Sequence, residues 1–375
     1  MTQDLFIGLM SGTSLDGVDG VLVDFAGDAG QVIQVIAHAH RAFRDELRRE
    51  LLTLNTSGTD ELHRAALAAN ALAHAYAQVV GDLLARGDLD ASRVTAIGAH
   101  GQTVRHRPQE FDGIGYTLQL NNPALLAELT CIDVVADFRS RDVAAGGQGA
   151  PLVPAFHRAV FAQRERTVAV FNVGGISNIT LLHADGRTFG FDCGPGNALM
   201  DHWCQQHRGQ AFDRNGDWAA TGQVNGALLQ RLQNEPYFGS PGPKSTGRDL
   251  FNASWLTRML AACSPAPLPA DVQATLAELT AWACAEALGS QRDAVCDILV
   301  CGGGAYNTHL MHRFTTRLPA AQIRPSDAAG LPADQVEAAA FAWLAKACTQ
   351  HTPGNLASVT GARGPRILGA LYRAA

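Results

Sequence analysis

The same glycine-centred hairpin pattern occurs twice in this sequence, once near the start of each half. Apolar runs at 5–10 and 18–25 flank the loop 11–17, and apolar runs at 167–173 and 176–182 flank two adjacent glycines. Two β-rich runs around a glycine-containing turn are typical of a β-hairpin. A chain of 375 residues is long enough for roughly two domains of ~150 residues. The recurrence therefore predicts an internal duplication with two lobes, residues 1–160 and 161–375.

Helical and strand patterns alternate along the rest of the chain. Apolar residues at helical spacing predict helices, whereas short apolar runs that end in polar or glycine residues predict strands. This alternation predicts an α/β protein with sheets that are at least partly parallel. The predicted helices span 41–54, 60–84, 198–207, 270–288 and 335–348, and the predicted strands span 94–99, 132–138 and 297–300.

Charge and composition exclude several classes of function. The chain has 29 Lys and Arg against 35 Asp and Glu, for a net charge of −6, and a duplex-binding protein would need a basic face instead. No run of apolar residues is long enough to span a bilayer. The eight cysteines form no CxxC pair, and several lie in apolar segments, as buried thiols in a reducing compartment do. We therefore expect a cytoplasmic protein that binds neither nucleic acid nor membranes.

Three glycine-rich segments are candidates for binding phosphate. Glycine lets the backbone approach a ligand closely, and exposed N–H groups with Ser or Thr hydroxyls receive phosphate oxygens. Asp16 and Asp19 could hold Mg²⁺ through water. An ordinary turn is the alternative for each segment, and the string 242–246 lacks the glycine that a P-loop needs before its lysine. The segments are the loop 11–17, the glycines at 174–175, and the glycines at 302–304, which follow a strand.

Seven strings along the chain give it a resemblance to the anhydro-N-acetylmuramic acid kinases, in the superfamily of sugar kinases, actin and heat-shock chaperones. They occur in the expected order over essentially the whole chain. The strings are MSGTSLDGVD at 10–19, HGQTVRHRP at 100–108, DFRSRDVAAGGQGAPLVP at 137–154, NVGGISNIT at 172–180, FDCGPGN at 191–197, PKSTGRDLFN at 243–252 and CGGGAYN at 301–307.

The resemblance implies two ribonuclease-H-like lobes around a central nucleotide cleft, with ATP and Mg²⁺ as cofactors. It implies an enzyme that hydrolyses the 1,6-anhydro bridge of the muramic acid sugar and phosphorylates O6, in the recycling of peptidoglycan. A homodimer is implied in the same way. The nucleotide contacts that we expect are Gly12, Thr13, Ser14, Leu15, Asp16, Gly17, Val18, Asp19, Gly174, Gly175, Gly302, Gly303 and Gly304.

Asp192 is the predicted catalytic base. It follows a short apolar run and precedes Gly194-Pro195-Gly196, a turn that would present a carboxylate at the tip of a strand. Opening an acetal requires a carboxylate that activates water at the anomeric carbon. Without the family resemblance, the alternative is that Asp192 caps the helix that begins near Asn197. Cys193 departs from the family pattern, in which we expect Thr at this position more often.

Five residues are weaker candidates for binding the sugar. A guanidinium fork suits a carboxylate because it binds both oxygens, and polar residues after a strand end could bind hydroxyl groups. The alternatives are a satisfied loop histidine, an ordinary salt bridge and a solvated helix face. The candidates are His100, Gln102, Asp137, Arg139 and Glu337.

Three other functions compete with this one. They are a plain hexose hydroxyl kinase of the same superfamily, an ATP-switched module like actin or a chaperone, and a glycosidase that works without ATP.

Overall fold

The chain divides into two compact units. The computed structural model describes residues 4–12, 15–26, 33–242, 244–247 and 250–375. Unit 1 comprises Met1–Val160 with Gln335–Ala375, and unit 2 comprises Phe161–Asp334. The strands are β1 Leu5–Met10, β2 Gly17–Asp24, β3 Gln34–Ala42, β4 Ala96–Ala99, β5 Gln102–Pro108, β6 Gly115–Leu120, β7 Val134–Ala136, β8 Thr167–Val173, β9 Ile176–Leu182, β10 Thr188–Pro195, β11 Val295–Cys301, β12 Gln322–Pro325 and β13 Ala370–Tyr372.

Helices fill the connections between these strands. They are α1 Asp45–Thr53, α2 Glu61–Gly87, α3 Pro123–Thr130, α4 Ser140–Ala144, α5 Val153–Phe161, α6 Ala198–Arg208, α7 Gly226–Gln233, α8 Pro236–Gly239, α9 Ala253–Ala261, α10 Pro269–Ala287, α11 Thr308–Arg317, α12 Val336–Thr349 and α13 Ala357–Thr360. Among the described helices, none is both long and apolar enough to cross a bilayer.

The two units contain sheets of the same topology. The strand order is β3-β2-β1-β4-β7 in unit 1, extended by β13, and β10-β9-β8-β11-β12 in unit 2. In each sheet the first three strands pair antiparallel, and the first, fourth and fifth pair parallel. This is the ribonuclease-H-like arrangement, so the predicted α/β class is confirmed. The equal strand order also supports the predicted duplication.

Helix α12 packs on β1 and β4 because those strands carry glycine at the contact. Gly8 and Gly98 are paired in register, and a Cβ atom on either would overlap the main-chain oxygen of Ala338 or Phe341 in α12. Ile7 and Leu9 of β1 point to the opposite face, into the core shared with α2, as strand alternation requires.

This packing explains a difference from the predicted lobe boundaries. Residues 335–375, which were assigned to the second lobe, group with unit 1. Helix α12 is buried on nearly all sides, and the groove along Gly8 and Gly98 lets its backbone approach the sheet. Strand β13 then adds to the edge of the same sheet, antiparallel to β7.

Other elements were missed or misplaced by the sequence patterns. The predicted helix 41–54 begins only at Asp45, because residues 41 and 42 belong to β3. The small sheet of β5 and β6 was not predicted, since its strands mix charged and apolar residues. Both predicted hairpins, β1–β2 and β8–β9, are confirmed.

Substituting Gly98→Ala should destabilise unit 1 by about 1–3 kcal/mol, since overpacking against a helix backbone costs that much. Gly81→Ala is the control, because Gly81 lies inside α2 with nothing within 4 Å of an added Cβ. That change should stabilise the helix by about 0.5–1 kcal/mol. Calorimetric unfolding of both variants measures the difference, and equal stability of Gly98→Ala and wild type would contradict the close helix contact.

Candidate active site

In unit 2, the loops that follow β8 and β11 lie against each other. Gly302 adopts φ +77°, and a Cβ atom there would lie 2.7 Å from both Asn172 Oδ1 and the Val173 carbonyl oxygen. A Cβ atom on Gly304 would overlap the Val173 side chain. Only glycine allows this approach at 302, because the left-handed φ adds to the close contact. The predicted glycines assembled at this end of β8 are Gly174, Gly175, Gly302, Gly303 and Gly304.

The turn after β10 fixes the β8–β9 hairpin from a third side. Gly196 N donates to the Gly175 carbonyl at 3.0 Å, and Asn197 N donates to the Gly174 carbonyl at 2.7 Å. The Asn197 side chain also donates, from Nδ2 to the Val173 carbonyl at 3.0 Å. These bonds use the hairpin's carbonyl groups and so fix the orientation of its peptide planes. Sequence reasoning treated Asn197 only as the start of a helix and missed this role.

Asp192 lies within β10, opposite Asn178 of β9. The register shifts directly after it, between Asp192 and Gly194, and such a bulge redirects side chains. Its Oδ2 accepts hydrogen bonds from Ser245 Oγ and from the Thr246 amide, both at 3.0 Å. The sequence predicted a carboxylate at the tip of a strand. Asp192 instead lies in the interior of β10 and is half-buried.

The structure does not support the alternative that Asp192 caps a helix. The N-cap residue of α6 is Asn197, and that helix has no side-chain capping bond. The acceptor oxygen of Asp192 instead binds residues of a loop between α8 and α9.

Cys193 points into the core next to this carboxylate. It is 2% exposed and lies beside the thiol of Cys284 in α10. Burial, together with the contact to Cys284, raises the pKa of Cys193 well above its usual range. The thiol is therefore neutral at physiological pH and adds no charge beside Asp192.

In unit 1, the corresponding hairpin joins β1 and β2. Of the predicted nucleotide contacts here, Thr13 and Ser14 lie outside the described residues. The Gly12 carbonyl accepts from Leu15 N at 3.2 Å and from Gln102 Nε2 at 3.1 Å. Leu15 and Val18 bury their side chains in the core, so only their main chain could contact a nucleotide. Gly17 begins β2.

The two acidic residues of this hairpin have different surroundings. Asp16 is exposed, whereas Asp19 binds His40 Nδ1 at 2.9 Å and lies 3.6 Å from His38 Nε2. Partial burial opposes ionisation of Asp19, but the interactions with His38 and His40 outweigh it and lower its pKa. Asp19 thus interacts with histidines of β3. The exposed Asp16 is the better candidate for Mg²⁺.

No group of three His, Cys, Asp or Glu within the described ranges could hold a metal ion by itself. That finding is compatible with Mg²⁺, which usually keeps several waters and binds one or two carboxylates together with substrate phosphates.

The buried His100 ring and the half-buried Arg139 side chain form a pair where β4 and β7 end. Arg139 donates to His100 Nε2 from Nε and Nη2, at 3.2 and 3.0 Å, and from Nη1 to the Gly149 carbonyl at 2.7 Å. Burial, and then the charge of Arg139, lower the pKa of His100 well below its usual value. Because Nε2 accepts from a guanidinium, the ring is neutral and carries its proton on Nδ1. The guanidinium is therefore held in a fixed orientation by neutral acceptors.

A buried carboxylate fixes the loop that orients Arg139. Asp142 is fully buried and accepts from Gly149 N at 2.8 Å, Asn355 Nδ2 at 2.7 Å and Thr360 Oγ1 at 2.8 Å. The C-terminal segment thereby holds Gly149, whose carbonyl binds Arg139. Sequence reasoning did not identify Asp142, because nothing in its local pattern distinguishes it from a surface charge in a short helix.

The remaining sugar candidates are less closely associated. Gln102 is 1% exposed and lies beside the β1–β2 hairpin through its bond to Gly12. Asp137 is exposed and accepts from Ser140 Oγ at 2.5 Å. Glu337 is half-buried in the first turn of α12. The structure therefore associates His100 with Arg139, and places Gln102 at the hairpin, within unit 1.

Known proteins match this sequence over essentially its whole length. The family model described as anhydro-N-acetylmuramic acid kinase matches residues 4–374. The chain is 62% identical to the anhydro-N-acetylmuramic acid kinase of Variovorax paradoxus, over 100% of both chains. It is 60% identical to that of Bordetella petrii, over 99% of this chain and 96% of the relative. Among solved structures, the activator of 2-hydroxyisocaproyl-CoA dehydratase from Clostridium difficile covers 93% of this chain and 98% of its own, with 11% identity and a TM-score of 0.48. The family match and the sequence relatives of this chain establish that it belongs to the anhydro-N-acetylmuramic acid kinase family.

Proposed function

We propose that Asp192 is the base with which this anhydro-N-acetylmuramic acid kinase activates water. One observation carries the assignment. Strand β10, which contains Asp192, continues into the turn whose amides bind the Gly174 and Gly175 carbonyls. A carboxylate and a glycine hairpin suited to phosphate are thus held in one sheet, as a coupled hydrolysis and phosphoryl transfer require.

The proposed reaction has two coupled steps. The carboxylate of Asp192 takes a proton from water while the water oxygen bonds to C1 of the sugar and the C1–O6 bond breaks. O6 then bonds to the γ-phosphorus of ATP, and the bond from that phosphorus to the β,γ-bridging oxygen breaks. The products are N-acetylmuramic acid 6-phosphate and ADP. Because phosphorus takes up the electron pair of O6, the step needs no separate general acid.

The main-chain N–H groups of the glycine segments bind the phosphates of ATP in this proposal. In unit 2 these are Gly174, Gly175 and the residues 302–304, whose close packing holds their peptide planes fixed. In unit 1 the hairpin of Gly12 and Gly17 has the same role. Several backbone donors suit a polyphosphate because they supply directed partial positive charge without bulky side chains.

Mg²⁺ fits the exposed carboxylate of Asp16, through water, as the chemistry of that donor allows. When bound, the ion would neutralise charge on the phosphates of ATP. Asp19 would be the poorer ligand because its carboxylate is bound to His40.

The sugar is recognised mainly by Arg139 in this proposal. Its oriented guanidinium binds the lactyl carboxylate, while His100 and Gln102 hold the guanidinium and the hairpin in place. Asp137 and Glu337 are further candidates for hydroxyl groups of the sugar. The product belongs to the recycling of peptidoglycan, and the homodimer and cytoplasmic location stay predictions.

The substitution Asp192→Asn should lower sugar-dependent ADP release by about 10²–10⁴-fold, the usual range for loss of a general base. ATP affinity should change by less than about threefold, because the carboxylate does not bind phosphate. Asp217→Asn, at an exposed carboxylate, is the matched control. Turnover in ¹⁸O-labelled water, quenched rapidly, should place the label at C1. Label in phosphate, or full turnover by Asp192→Asn, would refute the assignment.

The substitution Gly174→Ala tests the phosphate clamp. The nearest atom to an added Cβ is the Ile176 carbonyl oxygen at 3.7 Å, so the fold should tolerate alanine. A methyl group beside the phosphates should nevertheless weaken ATP binding about tenfold or more. Calorimetric titration with a non-hydrolysable ATP analogue measures the affinity, and Gly226→Ala, with open space around it, is the control. Equal affinity in all three proteins would argue against phosphate binding at this hairpin.

The substitution Arg139→Lys tests carboxylate recognition, since lysine cannot replace a two-point guanidinium contact. We expect kcat/KM for 1,6-anhydro-N-acetylmuramic acid to fall about tenfold to a hundredfold. The value for 1,6-anhydro-N-acetylglucosamine, which lacks the lactyl group, should change much less. Arg141→Lys, at an exposed neighbour, controls for loss of charge. Equal losses on both sugars would assign Arg139 a structural role instead.

A further inference from the structure

A loop segment of unit 2 binds Asp192 through both its main chain and its side chain. We call residues 244–246 the strap. The Asp192 amide donates to the Lys244 carbonyl at 3.1 Å. The strap thus bonds to the main chain of β10 as a neighbouring strand would. The Ser245 hydroxyl and the Thr246 amide both donate to Oδ2 of Asp192, at 3.0 Å. Three hydrogen bonds thus join three consecutive strap residues to this one aspartate.

Lys244 anchors the strap to α8. Its ammonium group donates to the carbonyls of Tyr237 and Phe238, at 3.0 and 3.2 Å, and lies 4.6 Å from the centre of the Tyr237 ring. The Tyr237 hydroxyl in turn donates to the Asp192 carbonyl oxygen at 2.7 Å. Both main-chain polar groups of Asp192 are therefore bound by the strap or by the helix that anchors it.

An aromatic cluster supports this anchor. Phe238 packs edge-on against Trp282 of α10 at a ring-centre distance of 5.1 Å, and its ring is tilted against Phe251 at 5.6 Å. Phe251 also packs against Tyr237 and Trp255, at 5.7 and 5.2 Å. Aromatic pairs at these distances are favourable beyond their burial. These contacts therefore hold helix α8 in place, although it is only one turn long.

We propose that the strap is a positioning element for Asp192, with Ser245 as its side-chain donor. This inference rests on the proposed role of Asp192 as the base. An aspartate carboxylate otherwise rotates broadly about its last torsion. Two donors on one oxygen fix the plane of the carboxylate, and hydrogen bonds to a charged acceptor are the stronger kind. Ser245 thereby acts through Asp192 and does not itself touch the substrate.

The substitution Ser245→Ala removes one of the two donors to Oδ2. We expect kcat to fall about tenfold, the effect of one hydrogen bond to a charged group near solvent. The KM values for sugar and ATP and the melting temperature should stay close to those of wild type. Ser245→Thr retains the hydroxyl and should restore kcat to within about threefold. Ser240→Ala, at an exposed hydroxyl after α8, is the matched control.

A double-mutant cycle decides whether Ser245 acts through the carboxylate. Combined with Asp192→Asn, Ser245→Ala should cause no further loss of the residual rate. Wild-type kcat in Ser245→Ala, an added loss in the double mutant, or a joint change of KM and melting temperature would each overturn the proposal. If Asp192→Asn is inactive and Ser245→Ala fully active, only the strap proposal fails. If Asp192→Asn retains full activity, the proposed base itself is wrong.

Discussion

The fold depends on a few strand positions that carry no side chain. In unit 1, Gly8 and Gly98 let the backbone of α12 approach the sheet, which draws the C-terminal segment back to the N-terminal sheet. In unit 2, Gly302 and Gly304 approach Val173 closely, and Gly196 approaches the Gly174 carbonyl, so that the segments after three strands meet. Interiors are packed too densely to accept even one added methyl group without a shift. Both the architecture and the proposed phosphate clamp follow from this constraint.

The duplicated topology reproduces hydrogen-bond geometry as well as strand order. Within two residues of the end of the fourth strand of each sheet comes a glycine with positive φ, Gly101 at +80° and Gly302 at +77°. After the third strand of each sheet, a main-chain amide binds the loop of the first hairpin. Phe43 N donates to the Asp16 carbonyl at 3.2 Å, and Asn197 N donates to the Gly174 carbonyl at 2.7 Å. Such agreement between local details and global topology supports duplication more strongly than the two glycine loops alone.

Much of the fold could be predicted because strong periodicity and glycine turns are local signals. The hairpins β1–β2 and β8–β9 and the long helices α2, α10 and α12 follow from those signals. The packing partner of α12 does not, because a helix that is apolar on all sides shows no preferred direction. The candidate site was predicted as a set of glycines plus Asp192, and its role stays a prediction. The contacts of Asp192 with Ser245 and Thr246 were not, since they join residues 53 and 54 positions apart without a pattern linking them.

Because the duplicated backbone is shared, the chemical difference between the units must come from side chains. Unit 1 holds an arginine between neutral acceptors, the His100 ring and the Gly149 carbonyl, so its guanidinium stays fully charged and oriented. Such a group is suited to binding an anion and unsuited to taking a proton. Unit 2 holds a carboxylate between donors, the Ser245 hydroxyl and the Thr246 amide. Those two donors are neutral groups that orient the carboxylate. The surroundings of each group are therefore consistent with the roles proposed for them, recognition of an anionic sugar by Arg139 in unit 1 and proton abstraction by Asp192 in unit 2.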